Sequence, residues 1–230
     1  MSEPLDRRKL LGAAALVGAV ELLRPGRALA AKAKAEAAEV NATEDLMREH
    51  GVLRRVLLVY EESVRRLEAK QPLKPELLAG AANIIRTFIE GYHEKLEEEQ
   101  VFPRMEKAGQ QLELVKTLRA QHAGGRKLTA EILAGATPHG LGSAQGRTAV
   151  VRPVEAFIRM YRPHAAREDT VLFPAFHALF TEKEFDALGE KFEEQEHALL
   201  GGGSFEGTLK AVEQLEQALG IYDLAQFTPR

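Results

Sequence analysis

The sequence predicts an all-α fold, an antiparallel up-down four-helix bundle with additional C-terminal helices. Apolar residues recur every three or four positions from residue 41 onward, as at Leu46, Leu53 and Leu57, which is the spacing of one helix face. No segment sustains the apolar–polar alternation of a strand. Short connections separate four long helical patterns, and such connections favour antiparallel neighbours.

The predicted helix limits follow from capping residues and helix-breaking stretches. Breaks are indicated by "KQPLKP", by Gly109 and by the glycine-rich "GATPHGLGSAQG". Thr181 and Glu184 have the spacing of a capping box, which opens a fifth helix. The six predicted helices are Thr43 to Ala69, Glu76 to Ala108, Leu112 to Ala134, Thr148 to Leu179, Glu182 to Leu200 and Phe205 to Leu219. The first four form a domain over residues 43–180, and residues 181–230 form a helical extension that caps it.

Composition excludes several classes of site and partner. The chain has 230 residues, 45% hydrophobic and 28% charged, which is typical of one main globular domain with appendages. A net charge of -3 with interspersed acids and bases gives no electrostatic basis for binding nucleic acid. Cysteine is absent, so disulfides, zinc–thiolate sites, iron–sulfur clusters and thiol catalysis are excluded. Any metal must be held by nitrogen and oxygen.

The first 30 residues have the pattern of a cleavable export signal. Arg7 and Arg8 precede an apolar run from Leu10 to Leu23, and small residues follow at 28–30. The adjacent arginines are typical of a twin-arginine signal, which predicts export, in a bacterium to the periplasm, after a polar linker over 31–42. Acidic residues before the arginine pair and within the apolar run depart from that pattern, and a tail without targeting value is the alternative. The run is too short for a stable membrane span.

The chain contains an internal duplication of a helix pair. In "YHEKLEEEQVFPRM" and "PHAAREDTVLFPAF" a histidine is followed by Glu at +4, Phe at +9 and Pro at +10. These residues are His93, Glu97, Phe102 and Pro103 in the first copy, and His164, Glu168, Phe173 and Pro174 in the second. A further histidine precedes each copy by a nearly equal interval, His50 in the first and His122 in the second.

Helix geometry predicts that these residues converge. The intervals between successive histidines correspond to one helix up and the next helix down, so all four reach one level of the bundle. Each histidine lies on the apolar stripe of its helix, and each glutamate at +4 projects from the same face. Two ionised glutamates in an apolar core would cost several kcal/mol unless a cation neutralised them. The candidate ligands are therefore His50, His93, Glu97, His122, His164 and Glu168.

Four imidazoles and two carboxylates suit a dinuclear centre. Each glutamate would bridge two ions, and two histidines would cap each ion. Imidazole with carboxylate favours iron, with manganese or zinc possible, over calcium or magnesium, which prefer oxygen ligands. Positions left open by the protein could hold an oxo or hydroxo bridge, or a small ligand such as dioxygen, nitric oxide or peroxide.

Residues 43–179 resemble the hemerythrin-like, cation-binding HHE domain family. The resemblance is carried by the helix-borne histidine followed by His-x3-Glu and Phe-Pro, present twice. It implies a four-helix bundle that binds two iron ions through the six candidate ligands, with both glutamates bridging.

Two positions indicate which members of that family the chain resembles. Oxygen-carrying hemerythrins have another histidine one turn before the third-helix ligand, and Leu118 takes that position here. The remaining set is similar to members linked to iron-centre repair and nitric oxide chemistry. Other members place an acid directly after the second-helix histidine, which makes Glu94 a possible additional ligand, with a solvated position as its alternative. A solvated position is also expected for Glu98, Glu99 and Asp169, although oxygen-carrying hemerythrins place an aspartate ligand at the position of Asp169.

The sequence favours a non-haem diiron protein that binds or senses dioxygen, nitric oxide or peroxide. The alternatives are a diiron enzyme that turns over peroxide or nitric oxide, an iron-handling or iron-centre repair protein, and a metal-free helical interaction module. Tyr92 and Tyr161 are candidate acid–base groups because each lies near a candidate ligand in sequence. Gly124 and Gly125 remove side-chain bulk beside His122, which predicts a path for a small ligand. The oligomeric state stays open.

Overall fold

The computed structural model describes residues 41–199 and 204–229. Within these ranges the chain forms helices and no strand, which confirms the predicted all-α fold. None of the helices in the described ranges is long and apolar enough to cross a membrane. The predicted export signal, 1–30, and most of the predicted linker, 31–42, lie outside the described residues.

Four long helices are followed by two shorter ones. They are α1 (Ala42–Glu68), α2 (75–107), α3 (Leu112–Gly135), α4 (144–177), α5 (Glu182–Leu199) and α6 (Phe205–Leu219). Helices α2 and α4 run continuously through π-helical segments, which are Ile85–His93 and Glu97–Val101 in α2 and Glu168–Leu172 in α4. A short helix, Pro138–Gly142, lies between α3 and α4, and a 3₁₀ turn, Leu224–Phe227, follows α6.

Side-chain caps begin several of these helices. The Asn41 side chain accepts hydrogen bonds from the backbone N–H groups of Thr43 and Glu44, and the Glu44 carboxylate accepts one from the Asn41 N–H. The predicted capping box of Thr181 and Glu184 is present at the start of α5. These caps satisfy N–H groups that have no partner within the helix.

Helix α4 begins earlier than the predicted start at Thr148. The Ser143 hydroxyl accepts a hydrogen bond of 2.9 Å from the Gly146 N–H and thereby caps a helix that starts at Ala144. The preceding glycine-rich stretch, predicted as a break, contains the short helix Pro138–Gly142. Local capping therefore outweighs the low helix propensity of glycine in this segment.

The duplicated Phe-Pro pairs explain two of the π-helical turns. Proline lacks an N–H, and its ring clashes with the carbonyl four residues earlier in a regular α-helix. Immediately before Pro103, the Phe102 N–H donates to the carbonyl of Glu97, five residues back. The second copy repeats this arrangement, because the Phe173 N–H donates to the Glu168 carbonyl. Each wider turn begins at a candidate glutamate ligand, a placement often seen at functional sites.

The four long helices enclose one apolar core. Helix α1 packs against α2 and α4, and α3 packs against the same two helices. Large buried side chains from all four helices fill the interior, among them the aromatic rings of Tyr60, Phe88 and Phe157. The candidate site lies within this core, and its ligand side chains are buried.

The C-terminal helices cover the α1–α2 face. Both α5 and α6 pack against α1, and α6 also packs against α2. The Arg55 guanidinium forms an ion pair with Glu216, and Arg66 donates to the carbonyl of Leu219 over 2.6 Å. At the start of α6, the Phe205 ring packs 6.2 Å from the ring of Phe88.

Replacing Phe205 with alanine tests this attachment. Phe205 is 4% exposed, so we expect Phe205→Ala to lower the free energy of unfolding by about 3–5 kcal/mol through lost burial and a cavity. The control is Phe227→Ala, because Phe227 is 51% exposed and its loss should change stability by less than about 0.5 kcal/mol. Chemical denaturation of both variants measures the difference, and equal stabilities would contradict the packing described for α6.

Candidate metal centre

The structure brings all six sequence-predicted ligands together inside the core. They come from the four long helices, and each is buried. Their ligand atoms form two groups that could each hold an ion, with all atoms of a group within 4.8 Å of one another. The groups are His50, His93 and Glu97, and His122, His164 and Glu168.

The four imidazoles face one another in two pairs. Nε2 of His50 lies 3.0 Å from Nε2 of His93, and Nε2 of His122 lies 3.2 Å from Nε2 of His164. Two nitrogen ligands about 2.1 Å from one ion and at right angles to each other would be about 3.0 Å apart. The spacing of each pair is thus compatible with two nitrogen ligands of one ion.

Glu97 contacts both imidazole pairs. One carboxylate oxygen lies 3.7 Å from Nε2 of His93, and the other lies 3.5 Å from Nε2 of His122. Neither oxygen has a hydrogen-bond partner among the described residues, although the side chain is fully buried. Burial, together with the nearby charge of Glu168, raises the pKa of Glu97 well above its ordinary value. An unpartnered buried carboxylate of this kind fits a cation.

Glu168 contacts the other histidine of each pair. Its Oε2 lies 3.3 Å from Nε2 of His50 and 3.1 Å from Nε2 of His164. Burial opposes its charged form, yet the charges of His164 and His50, whose Nε2 atoms lie beside its Oε2, lower the pKa of Glu168. Both glutamates thus touch one histidine of each pair, which is the position of a carboxylate that bridges two ions.

Protonation of the imidazoles reflects the same environment. Burial lowers the pKa of His93 and lowers that of His122 to about 4, which favours neutral rings with a free lone pair. Burial also opposes a charge on His50, but the hydrogen bond that His50 donates to Asp169 and the neighbouring carboxylate of Glu168 raise the pKa of His50 to about 9. A cation would compete with that proton for the imidazole nitrogen.

The second nitrogen of every candidate histidine is held by a side-chain oxygen. These Nδ1 contacts are His50 with Asp169 at 2.6 Å, His93 with Glu49 at 2.8 Å, His122 with Glu98 at 3.0 Å, and His164 with Gln121 at 2.9 Å. A hydrogen bond donated from Nδ1 leaves Nε2 as the acceptor that faces the centre. Such partners orient metal-binding histidines and fix their tautomer.

The Nδ1 partners repeat with the internal duplication. Glu49 and Gln121 directly precede the first histidine of each copy, and Glu98 and Asp169 directly follow the glutamates. The solvated positions expected for Glu98 and Asp169 are therefore wrong, because both carboxylates turn towards a histidine on a neighbouring helix. Aligning the two copies at these flanking positions could have found them. Glu99 is exposed, as predicted.

Two arginines complete this repeated arrangement. Arg54 pairs with Asp169, and Arg126 lies 2.8 Å from Glu98. Each arginine follows the first histidine of its copy by four residues. The arginines compensate the charges of the carboxylates that hold His50 and His122.

The phenylalanine of each Phe-Pro pair stacks on a candidate ligand. Phe173 lies against His50 with ring centroids 5.6 Å apart and an interplanar angle of 18°. Phe102 lies against His122 with centroids 5.4 Å apart and an angle of 27°. The apolar rings shield the imidazoles from water and restrict their rotation.

Comparison with known proteins assigns the chain to a family. A model described as the hemerythrin HHE cation-binding domain matches residues 41–176, more than half of the chain. The chain belongs to this family. Relatives from Mycobacterium bovis and from two strains of Mycobacterium tuberculosis, described as uncharacterized proteins, are each 46% identical over 190 residues, covering 83% of this chain and 74% of theirs. No solved structure matches the chain.

Glu94 differs from the other candidate residues of this hemerythrin-like domain. It is 1% exposed, so the solvated alternative is wrong. Its carboxylate accepts a hydrogen bond of 2.5 Å from the Tyr161 hydroxyl and pairs with Arg126 at 2.9 Å. Burial is the main reason that the pKa of Glu94 rises to about 8. Glu94 belongs to a third group of three potential ligands, with Glu98 and with His122, which this group shares with His164 and Glu168.

The glycine pair in α3 does not leave an open path. A Cβ added at Gly125 would lie 2.1 Å from the Tyr161 hydroxyl, so this glycine provides the space that Tyr161 occupies. At Gly124 an added Cβ would meet the Met160 sulfur at 3.7 Å, an ordinary contact. The predicted opening at Gly125 is therefore wrong, because a side chain from α4 fills it.

The raised pKa of Glu94 predicts a pH-dependent stability difference. A carboxyl with a higher pKa in the folded state contributes most stability when protonated, and loses that contribution as pH rises from the ordinary glutamate range towards about 8. Glu94→Gln cannot titrate, so in metal-free protein its stability relative to the parent should increase over that range. Denaturation at several pH values tests this, with exposed Glu99→Gln as the control. A constant difference between Glu94→Gln and the parent would show that Glu94 has no raised pKa.

Proposed function

We propose that this chain is a non-haem diiron protein that binds or senses dioxygen, nitric oxide or peroxide. The proposed ligands are His50, His93, Glu97, His122, His164 and Glu168, with manganese or zinc as alternative ions. One observation carries the proposal. The Nε2 atoms within each of two imidazole pairs are close enough to bind one ion together, and two buried carboxylates each contact both pairs. Imidazole with carboxylate is a donor set suited to iron.

The helix contacts support the predicted architecture for this centre. Helices α1 to α4 each pack against two of the others and are joined by short connections, as in an antiparallel up-down bundle. Each of the four helices contributes one histidine, and α2 and α4 each add a glutamate. Residues 43–180 would then form the metal-binding domain, with 181–230 as an extension.

The surrounding residues would prepare the site for iron. Bound iron would supply open coordination positions and a change of oxidation state. The Nδ1 acceptors keep each imidazole in the tautomer that presents Nε2, and the stacked phenylalanines exclude water from two of the rings. Two carboxylates would reduce the charge of two dications, which lowers the cost of holding them in an apolar core.

An enzyme that turns over peroxide or nitric oxide is the second candidate. Two observations favour it. The Tyr161 hydroxyl donates a buried hydrogen bond to Glu94, and the Tyr161 ring lies 5.1 Å from the ring of the candidate ligand His164. A phenol and a carboxyl at this position could donate or accept a proton beside the centre. Glu94 could alternatively serve as an additional ligand, with one oxygen near His122. Multiple turnovers in stopped-flow measurements, as opposed to one binding event per site, would identify an enzyme.

Metal analysis tests the proposed centre directly. Protein produced anaerobically with sufficient iron should contain about two iron ions per chain, with absorption bands after oxidation that change on adding azide. Glu97→Ala should lower the content to about one ion or fewer, because a bridging carboxylate serves both ions. The matched control is Glu99→Ala, two residues along the same helix and exposed, which should keep the parent's iron. Parent protein with less than one iron per chain would refute the proposal.

We also propose export of this protein to the bacterial periplasm by the twin-arginine route. The support is the sequence pattern of residues 1–30, and folded export would allow iron to be loaded beforehand. In a bacterial host, the parent should appear in the periplasm with its N-terminus at Ala31. Arg7→Lys with Arg8→Lys should retain it in the cytoplasm, while Arg24→Lys with Arg27→Lys should not. Equal distribution of both variants would argue against this route.

A further inference from the structure

A cleft of about 300 Å³ opens between α1 and α4 beside the candidate metal centre. Its buried lining consists of Leu53, Leu57, Tyr161 and Ala165, and its outer lining of Arg54, Leu58 and Arg162. The aliphatic and aromatic side chains of the buried lining would favour an apolar occupant.

The inner part of the cleft adjoins the candidate ligands. Leu53 follows His50 by three residues on α1, and Ala165 directly follows His164 on α4. The Tyr161 ring lies 5.1 Å from the His164 ring, and its hydroxyl donates a hydrogen bond to Glu94 on α2. An occupant of the cleft would thus contact side chains that adjoin two of the candidate histidines, His50 and His164.

The internal duplication supplies a comparison for this cleft. The offsets of 72 residues from His50 to His122 and of 71 residues from His93 to His164 also relate the α1–α4 seam to the α2–α3 seam. The buried lining residues Leu53, Leu57, Tyr161 and Ala165 correspond to Gly125, Thr129, Glu90 and Glu94. The corresponding seam is therefore polar, and Arg126 pairs there with Glu94. One seam is apolar and contains the cleft, whereas its counterpart contains the acidic side chains of Glu90 and Glu94.

We propose that the α1–α4 cleft binds a small uncharged diatomic gas, of the dioxygen or nitric oxide class, and admits it to the centre. The inference rests on the proposed diiron function and selects gases over peroxide among its ligands. An apolar gas loses little on leaving water, whereas peroxide would lose hydrogen bonds that the aliphatic lining cannot replace. The two arginines at the mouth are paired, Arg54 with Asp169 and Arg162 with Glu61, so their charges are compensated.

Xenon tests the cleft independently of iron. It is uncharged and apolar, and it binds apolar protein cavities. In full-length protein with ¹³C-labelled methyl groups, xenon should shift the NMR signals of Leu53 and Leu57. Leu57→Trp should abolish the shift at Leu53 by filling the cleft.

Leu58→Trp is a second blocking variant. Leu58 lies at the mouth of the cleft and is 37% exposed, so this substitution does not alter the core. Leu128→Trp, a partly buried position on α3 outside the cleft, is the matched control.

Gas kinetics then connect the cleft to the centre. In iron-loaded protein, both blocking variants should slow nitric oxide association about tenfold, because entry then needs a side-chain displacement. The dissociation rate should fall equally, which leaves the affinity unchanged, and Leu128→Trp should match the parent. Absence of xenon shifts at Leu53 and Leu57, or unchanged nitric oxide rates in both folded blocking variants, would overturn the proposal. Xenon binding by a chain that takes up no iron would overturn the diiron function while supporting the gas site.

Discussion

Two carboxylates buried in one helical core are the constraint on which the rest of this structure depends. Glu97 and Glu168 face the same small space, and water does not reach either side chain. Their mutual repulsion and desolvation must be balanced from within the core, and the four surrounding imidazoles do this only in part. The cation-binding family to which the chain belongs provides the simplest account of why such an arrangement is kept.

Contacts around the candidate ligands restrict the movement of the four imidazoles. Each imidazole is fixed at one nitrogen by a hydrogen bond, and two are also fixed by a stacked phenylalanine ring. The same Phe-Pro pair that provides the ring is preceded by the π-helical turn at the glutamate. The segment from each glutamate to the Phe-Pro pair thus both places the glutamate at a π-helical turn and supplies the phenylalanine that packs on a histidine of another helix.

Much of this could be predicted from sequence because the duplicated motif lies on regular helices. Helical periodicity and the intervals between histidines placed His50 and His164 correctly in one core. The same reasoning failed for Asp169 and Glu94, because each lies about 100° around its own helix from the neighbouring ligand. Only the packing of adjacent helices determines whether such a position meets water or another side chain. The early start of α4 was missed because a serine cap acts within a glycine-rich stretch.

The crossing of the Nδ1 hydrogen bonds has a consequence for the symmetry of the molecule. His50 in the first half is held by Asp169 of the second, and His122 in the second half is held by Glu98 of the first. One helix pair therefore cannot orient its own first histidine. A free-standing half could complete the same arrangement only by meeting a second copy across a twofold axis. Within a single chain, covalent linkage replaces that association, and the two halves are free to diverge in sequence.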